Sequence, residues 1–335
     1  MRSLRIVAIV ASVAVLTASV AASASASVDY SGLKVTGYVE SYTGMSNAAL
    51  AARSAKLTSV GIDGINLTRD GAGVTPVEPA AHRLLTQAHA DGDTAELLVG
   101  NFSGGDFSPA IATRLLDSED NMTAVAAALA AEVKRFGWDG VQVDLESLDS
   151  SHTTGVTRFM RMLRAELDTV DATKTLSIAI MATSGDYRVL GYDVAAISES
   201  TDSIVLMAYD QHGYWDPKHP GPVGGTPWVK SVLAALLRKV PASEVQLGIA
   251  GYGYSFPKKG TGTQLSPAAA RKLVAAAHGS THWSSKHQEW HGSLPNGTQL
   301  WWSDAKTVDA RVALAKRYRL GGVAVWSIGL ADRID

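Results

Sequence analysis

The architecture this chain predicts is α/β, a (β/α)8 TIM barrel, and three observations point to it. Short apolar runs alternate with helix-like stretches along most of the chain, as expected of repeated βα units. Eight such runs can be counted, the number that closes a parallel sheet on itself. The 335 residues, 46% of them hydrophobic, suffice for one large core, and no linker or internal repeat divides them.

In chain order, the strand runs are residues 35–41, 64–68, 95–101, 140–146, 176–182, 203–210, 245–251 and 322–327. Each is short, apolar and bounded by polar or glycine-containing segments. Between them, helical patterning predicts helices over 48–56, 79–90, 122–136, 154–168, 193–198, 227–237 and 305–318. The stretch 252–303 is too long for an ordinary βα loop. It holds Trp283, Trp290, Trp301 and Trp302, several glycines and histidines, and one helical piece over 267–278. It reads as a small α+β insertion between strand 7 and the last helix, forming one wall of a cleft. Its tryptophans either offer flat apolar faces to a ligand or form the insertion's own core.

The N-terminus carries Arg2 and Arg5, an uncharged apolar run over 6–20, and two overlapping Ala-x-Ala triplets ending at Ala26. That order predicts a signal peptide over 1–26 and a secreted, extracellular domain over 27–335. No later segment has the length and lack of charge of a membrane-spanning helix. The expectation is a soluble monomer, away from the membrane once the leader is cleaved. With no cysteine there are no disulfides and no thiolate metal sites. A net charge of −2 and a pI near 6.5 offer no basic face for phosphates, which argues against a nucleic-acid partner.

Residues 139–146 read Asp-Gly-Val-Gln-Val-Asp-Leu-Glu. On a strand, Gln142, Asp144 and Glu146 share one face and Val141, Val143 and Leu145 the other, with same-face neighbours roughly 6–7 Å apart. Two carboxyl groups thus crowd the C-terminal end of the fourth strand, where a barrel keeps its active site. Like-charge repulsion raises the pKa of such a pair, which lets a Glu stay protonated near neutrality and act as a general acid. The plain alternative is a half-exposed strand with solvated polar residues.

Other polar residues carry less. Asp139 is offset from the inward face and fits a turn anchor. Asp70, Asp106 and Glu40 lie near strand ends, and His212 lies near Tyr209 and Asp210, where either a substrate wall or a surface role fits. His278/His282 and His287/His291 have the i, i+4 spacing of helical metal ligands, but the glycine, serine and tryptophan around them disfavour a helix. No metal and no cofactor are expected.

With the barrel in view, the octapeptide resembles the signature of glycoside hydrolase family 18, the chitinase-like enzymes, in which Asp-Gly-x-Asp-x-Asp-x-Glu closes the fourth strand. Met207-Ala208-Tyr209-Asp210 resembles that family's sixth-strand segment. Residues 321–326, Gly-Gly-Val-Ala-Val-Trp, resemble its last strand, and Tyr38 sits where the first strand often supplies an aromatic. Residues 207–228 and 302–306 are most similar to the bacterial peptidoglycan and spore-cortex-lytic branch. Where the family has Asp or Asn, this chain has Gln142, whose amide is able to donate to Asp144.

The resemblance implies a retaining hydrolase acting on β-linked N-acetylglucosamine glycan, peptidoglycan or chitin, by substrate-assisted catalysis. It implies Glu146 as proton donor and acceptor, Asp144 and Tyr209 on the substrate's acetamide, Trp326 as a sugar floor, and Gln142, Tyr38, Met207 and Asp210 lining the subsite. The segment 187–191 and the insertion would set how many sugars are gripped. The alternative is a catalytically weak or silent glycan-binding lectin, against which the presence of Glu146 stands.

Overall fold

The computed structural model describes residues 28–334 apart from 46, 53 and 54; the 1–26 leader lies outside them. In chain order the elements are β1 (Lys34–Glu40), α1 (Asn47–Ala51), β2 (Ser59–Asn66), α2 (Pro79–Asp91), β3 (Thr94–Gly100) and the small hairpin β4 (Phe102–Ser103) and β5 (Asp106–Phe107). Next come α3 (Pro109–Leu116), α4 (Glu119–Phe136), β6 (Gly140–Asp144), α5 (Thr153–Val170), β7 (Thr175–Met181), α6 (Val194–Ser198), β8 (Ser203–Met207), α7 (Thr226–Leu236) and β9 (Val245–Ala250). Then follow β10 (Gly253–Phe256), β11 (Gln264–Leu265), α8 (Pro267–Ala276), β12 (Ser280–Ser284), β13 (Glu289–Ser293), β14 (Gln299–Trp302), α9 (Ala305–Tyr318) and β15 (Gly322–Trp326).

Eight parallel strands close in the order β1-β2-β3-β6-β7-β8-β9-β15, with β15 returning to β1, so the predicted TIM barrel is the observed one. Local chemistry explains the helix ends. Pro79, Pro109 and Pro267 open α2, α3 and α8, where a missing N–H costs nothing. Ser118 caps α4 by accepting from Asn121 N at 3.2 Å. Side-chain alternation splits each strand: Val141, Val143 and Leu145 belong to the large core between barrel and helices, while Gln142 and Asp144 are buried on the opposite, inward face.

The observed β2 begins five residues before the predicted 64–68, because Gly61, Asp63 and Gly64 interrupt its apolar pattern. Gly61 has a steric reason. A Cβ there would lie 2.3 Å from the Tyr38 ring, so the ring's seat inside the barrel requires glycine. The β4–β5 hairpin and α3, both between β3 and α4, were absent from the sequence expectation; two-residue strands leave no periodicity to read.

Between β9 and α9 the chain forms a five-stranded antiparallel sheet, β11-β10-β14-β13-β12, with α8 against it. Register places Trp283 opposite Trp290 and Trp290 opposite Trp302, on the face that packs with Ala270 and Val274 of α8. Lys306 Nζ sits 4.1 Å over the Trp283 ring. Trp301 lies in the other row, opposite Tyr254 and His291, and packs with Tyr252, Tyr254 and Phe256. Of the insertion's tryptophans, then, Trp290 and Trp302 belong to its core, Trp283 stands edge-on to Trp290, and none of the four lines the cleft. His282 and His291 lie on strands and His278 and His287 in turns, so the i, i+4 spacing has no helical meaning. Among the described residues no three metal-ligating side chains converge, and no helix is long and apolar enough to cross a membrane.

A buried ion pair joins insertion to barrel. Glu289 accepts from Val223 N at 2.8 Å and Gly224 N at 2.7 Å. Arg311 of α9 donates to Gly224 O at 2.6 Å, His287 O at 3.1 Å and Thr226 Oγ1 at 2.7 Å, with its Nη2 3.9 Å from Glu289. Breaking such a pair from one side leaves a buried charge. Arg311→Met should therefore cost about 3–5 kcal/mol in urea unfolding. A loss below about 1 kcal/mol would show that the loop is held otherwise.

Candidate active site

β6 delivers Gln142 and Asp144 into the barrel and then ends, and neighbouring side chains take over the backbone. Asn101, fully buried, donates to Glu146 O at 3.0 Å and accepts from Glu146 N at 3.0 Å. Tyr192 OH donates to Leu145 O at 2.7 Å. The extended geometry thus persists past the last barrel pairing, and Glu146 follows Asp144 onto the same face.

All eight residues singled out from the sequence, Glu146, Asp144, Tyr209, Gln142, Tyr38, Met207, Asp210 and Trp326, line one cleft at the C-terminal ends of the strands. Phe107, Met181 and Trp228 join them at its walls. The Tyr38 and Trp326 rings meet with centroids 5.5 Å apart, tilted by 53°. Asp210 takes a left-handed backbone (φ 60°), and its Oδ1 accepts from Tyr252 OH at 2.7 Å and Tyr254 OH at 2.8 Å. Two tyrosines contributed by the chain leaving β9 therefore fix a carboxylate contributed by the chain leaving β8.

Burial is the main cause of the site's acid chemistry, ahead of the repulsion expected from the sequence. It pushes Glu146 up to about 7, helped by the negative charges of Asp210 and then Asp106. Asp144 is raised well above the usual carboxylate range by burial, then by Glu146 and Asp63. Asp63 is itself lifted to about 6 by burial and by Glu40, its neighbour across β1 and β2. Burial also raises Asp210, against the two tyrosine hydroxyls.

One expectation is corrected. The Gln142 amide nitrogen donates to Ser177 Oγ at 3.0 Å rather than to Asp144, because β7 presents that hydroxyl beside it inside the barrel. Asp139 accepts from Ala95 N and pairs with His89, both at 2.8 Å, as a turn anchor does. Asp70 is occupied by its own turn, bonded to Thr68 Oγ1 and Ala72 N. His212 contacts His219 O at 3.1 Å and is not among the lining residues. Sequence reasoning missed Asn101, Asp63, Tyr252 and Tyr254, which act through other residues and sit in no recognisable spacing.

The raised Glu146 pKa has a linkage consequence. A carboxyl that ionises later in the folded state binds more protons there than in the unfolded chain, so stability falls as pH rises from about 4.5 toward 7. Glu146→Gln removes that cost. The variant should match wild type in urea unfolding below pH 4.5 and exceed it by roughly 1–3 kcal/mol above pH 7. Equal stabilities at both ends would show that Glu146 is not held protonated.

The model of glycosyl hydrolases family 18 matches residues 83–331. An uncharacterized glycosylase of Bacillus subtilis, YvbX, is 26% identical over 239 residues, covering 67% of this chain and 67% of that protein. The cortical fragment-lytic enzyme of Bacillus subtilis is 25% identical over 305 residues, covering 85% of this chain and 68% of its own length. The crystal structure of a chitinase from Chromobacterium violaceum superposes with a TM-score of 0.80 at 24% identity, over 90% of this chain and 96% of that one. With the match spanning most of the barrel, the cleft and the insertion, the chain belongs to glycosyl hydrolases family 18 and is a glycoside hydrolase.

Proposed function

We propose that this protein is an exported, retaining hydrolase of β-linked N-acetylglucosamine glycan, with cell-wall peptidoglycan ahead of chitin as substrate. The observation that carries the reading is a Glu146 carboxyl lifted to about 7 in a cleft it shares with Asp144, Tyr209 and Trp326. A general acid works best with a pKa near the operating pH. The similarity to a cortical fragment-lytic enzyme supports the wall-directed choice, and the basic-apolar-small order of residues 1–26 supports export.

In this mechanism Glu146 protonates the glycosidic oxygen as the C1–O bond breaks, and the substrate's own acetamido oxygen attacks C1. Asp144 turns to accept the acetamide N–H, which orients the oxygen and stabilises the positive charge of the oxazolinium ring that forms. Tyr209 hydrogen-bonds the same acetamide group. Trp326 offers a flat apolar floor to the sugar, and Met207, Asp210, Tyr38 and Gln142 close the subsite around it. Glu146, now ionised, takes a proton from water, whose oxygen opens the ring at C1 with net retention.

Glu146→Gln should lower turnover by about 10²–10⁴-fold while leaving glycan binding measurable by calorimetry. Full activity would remove Glu146 from the mechanism. Asp210→Asn deletes a negative charge that raises the Glu146 pKa, so Glu146 ionises at lower pH and the alkaline limb of the activity profile moves acidward. An unmoved limb would break the link between the two carboxyls. Peptidoglycan or N-acetylglucosamine oligomers should release new reducing ends, whereas cello-oligomers, which lack the acetamido group, should release none. Comparable cleavage of both kinds would refute substrate assistance.

A further inference from the structure

Exposure divides the methionines of this chain. Met122 and Met160 are fully buried, Met207 is 9% exposed, and Met45 and Met162 are partly buried against the large core. Met181, the last residue of β7, is 39% exposed and is the one exposed methionine among the described residues. It also lines the cleft together with Asp144 and Glu146. A large apolar side chain left in water forgoes its burial energy, and a thioether left in water is open to oxidants as well.

Strand register sets what stands beside Met181. β6 and β7 run parallel with Gln142 opposite Ser177 and Val143 opposite Ile178, and the same offset brings Glu146 level with Met181. Tyr192 holds that alignment past the last pairing: its hydroxyl donates to Leu145 O at 2.7 Å and faces the Met181 N–H. Neighbouring strands lie about 4.8 Å apart, so the thioether is within a side chain's reach of the Glu146 carboxyl. The ionisable groups facing Glu146 are Asp144 on its own strand, Asp106 of β5, Asp210 and Tyr209 after β8, and Tyr192 after β7. Among the described residues none is hydrogen-bonded to its carboxyl. A protonated Glu146 therefore has one hydrogen to give and no protein acceptor for it, since a thioether sulfur accepts only weakly.

We propose that Met181 is a modification site that switches the enzyme off: a hydroperoxide converts its thioether to the sulfoxide, and the new oxygen captures the Glu146 proton. In that step a sulfur lone pair attacks one peroxide oxygen, and the S–O bond forms as the O–O bond breaks. Sulfur is oxidised by two electrons, and the departing hydroxide takes up a proton, so one hydrogen peroxide yields one sulfoxide and one water. The sulfoxide oxygen is a polar acceptor where only an apolar wall stood. Beside Glu146 it holds the hydrogen meant for the leaving oxygen and stabilises the protonated acid. Reduction of the sulfoxide restores the thioether, so the change is reversible. The inference rests on the role given to Glu146 above, and it adds a chemical means of suspending that role.

The test is treatment of the full chain with hydrogen peroxide, followed in the same samples by peptide mass spectrometry and by turnover of N-acetylglucosamine oligomers. Met181 should gain an oxygen before any other described methionine. As it does, turnover should fall by about tenfold or more, within the roughly 10²–10⁴-fold that general-acid catalysis supplies. The two methionine sulfoxide reductases, one for each epimer, should restore it. Measured against their own untreated turnover, Met181→Leu should resist peroxide and Met207→Leu should lose activity as the wild type does. In ¹³C NMR titrations of labelled glutamate carboxyls, with the Glu146 signal assigned by its loss in Glu146→Gln, oxidation should raise the Glu146 midpoint by about one pH unit, the effect of one added acceptor on the protonated form. Earlier oxidation of another described methionine, full turnover in protein oxidised at Met181, or an unmoved midpoint would overturn the proposal. A raised midpoint in a protein whose untreated form cleaves no acetamido glycan would instead leave it standing and sink the functional reading alone.

Discussion

Four carboxyl groups, Asp63, Asp144, Glu146 and Asp210, share the mouth of this barrel, and among the described residues none of them is in an ion pair. That concentration of buried acid is the constraint on which the rest of the structure depends. An isolated ionised carboxylate is expensive to bury, so each group either finds donors or keeps its proton. Asp210 finds donors in Tyr252 and Tyr254, while Glu146 is pushed toward neutrality. The same physics that makes the site costly to fold supplies a protonated carboxyl where a leaving oxygen would need one.

The scaffold bears this cost through rigid elements at some distance from the cleft. Asn101 continues the β6 geometry to Glu146 with two backbone bonds after the strand has ended. Glu289 and Arg311 hold residues 223 and 224, and a Cβ on Gly224 would lie 2.5 Å from Ala208 O and 3.4 Å from Tyr209 Cα, so this loop packs directly on the segment that carries Tyr209. Tyr209 is thereby wedged between a loop fixed by the insertion and Gly248 of β9, whose Cβ would meet its ring at 3.1 Å. The insertion is in this sense part of the site's support, although none of its residues is among those that line the cleft.

What the sequence made legible was whatever follows a short period or a local spacing. Strand alternation put Gln142 and Asp144 inside and Val141 and Val143 outside, and the structure does the same. Eight apolar runs were enough to anticipate a closed barrel, although glycine-broken β2 was read too short and the two-residue strands β4 and β5 were not seen. Long-range chemistry was not legible. Glu96 reaches Ser177 across 81 positions and Tyr254 reaches Asp210 across 44, and no window of sequence announces either bond. The direction of the Gln142 amide was misread for the same reason, since it is decided by a hydroxyl on a neighbouring strand.

In the proposed mechanism the sugar's own acetamide reacts first, with Glu146 lending a proton and taking one back on the same face. The most direct measurement is ¹H NMR of the first reducing ends released from an N-acetylglucosamine hexamer, recorded before mutarotation. Substrate assistance predicts that the β-anomer appears first, because two displacements at C1 restore the original configuration. Initial release of the α-anomer would mean that water attacks C1 directly, and the roles given to Asp144 and Glu146 would be wrong.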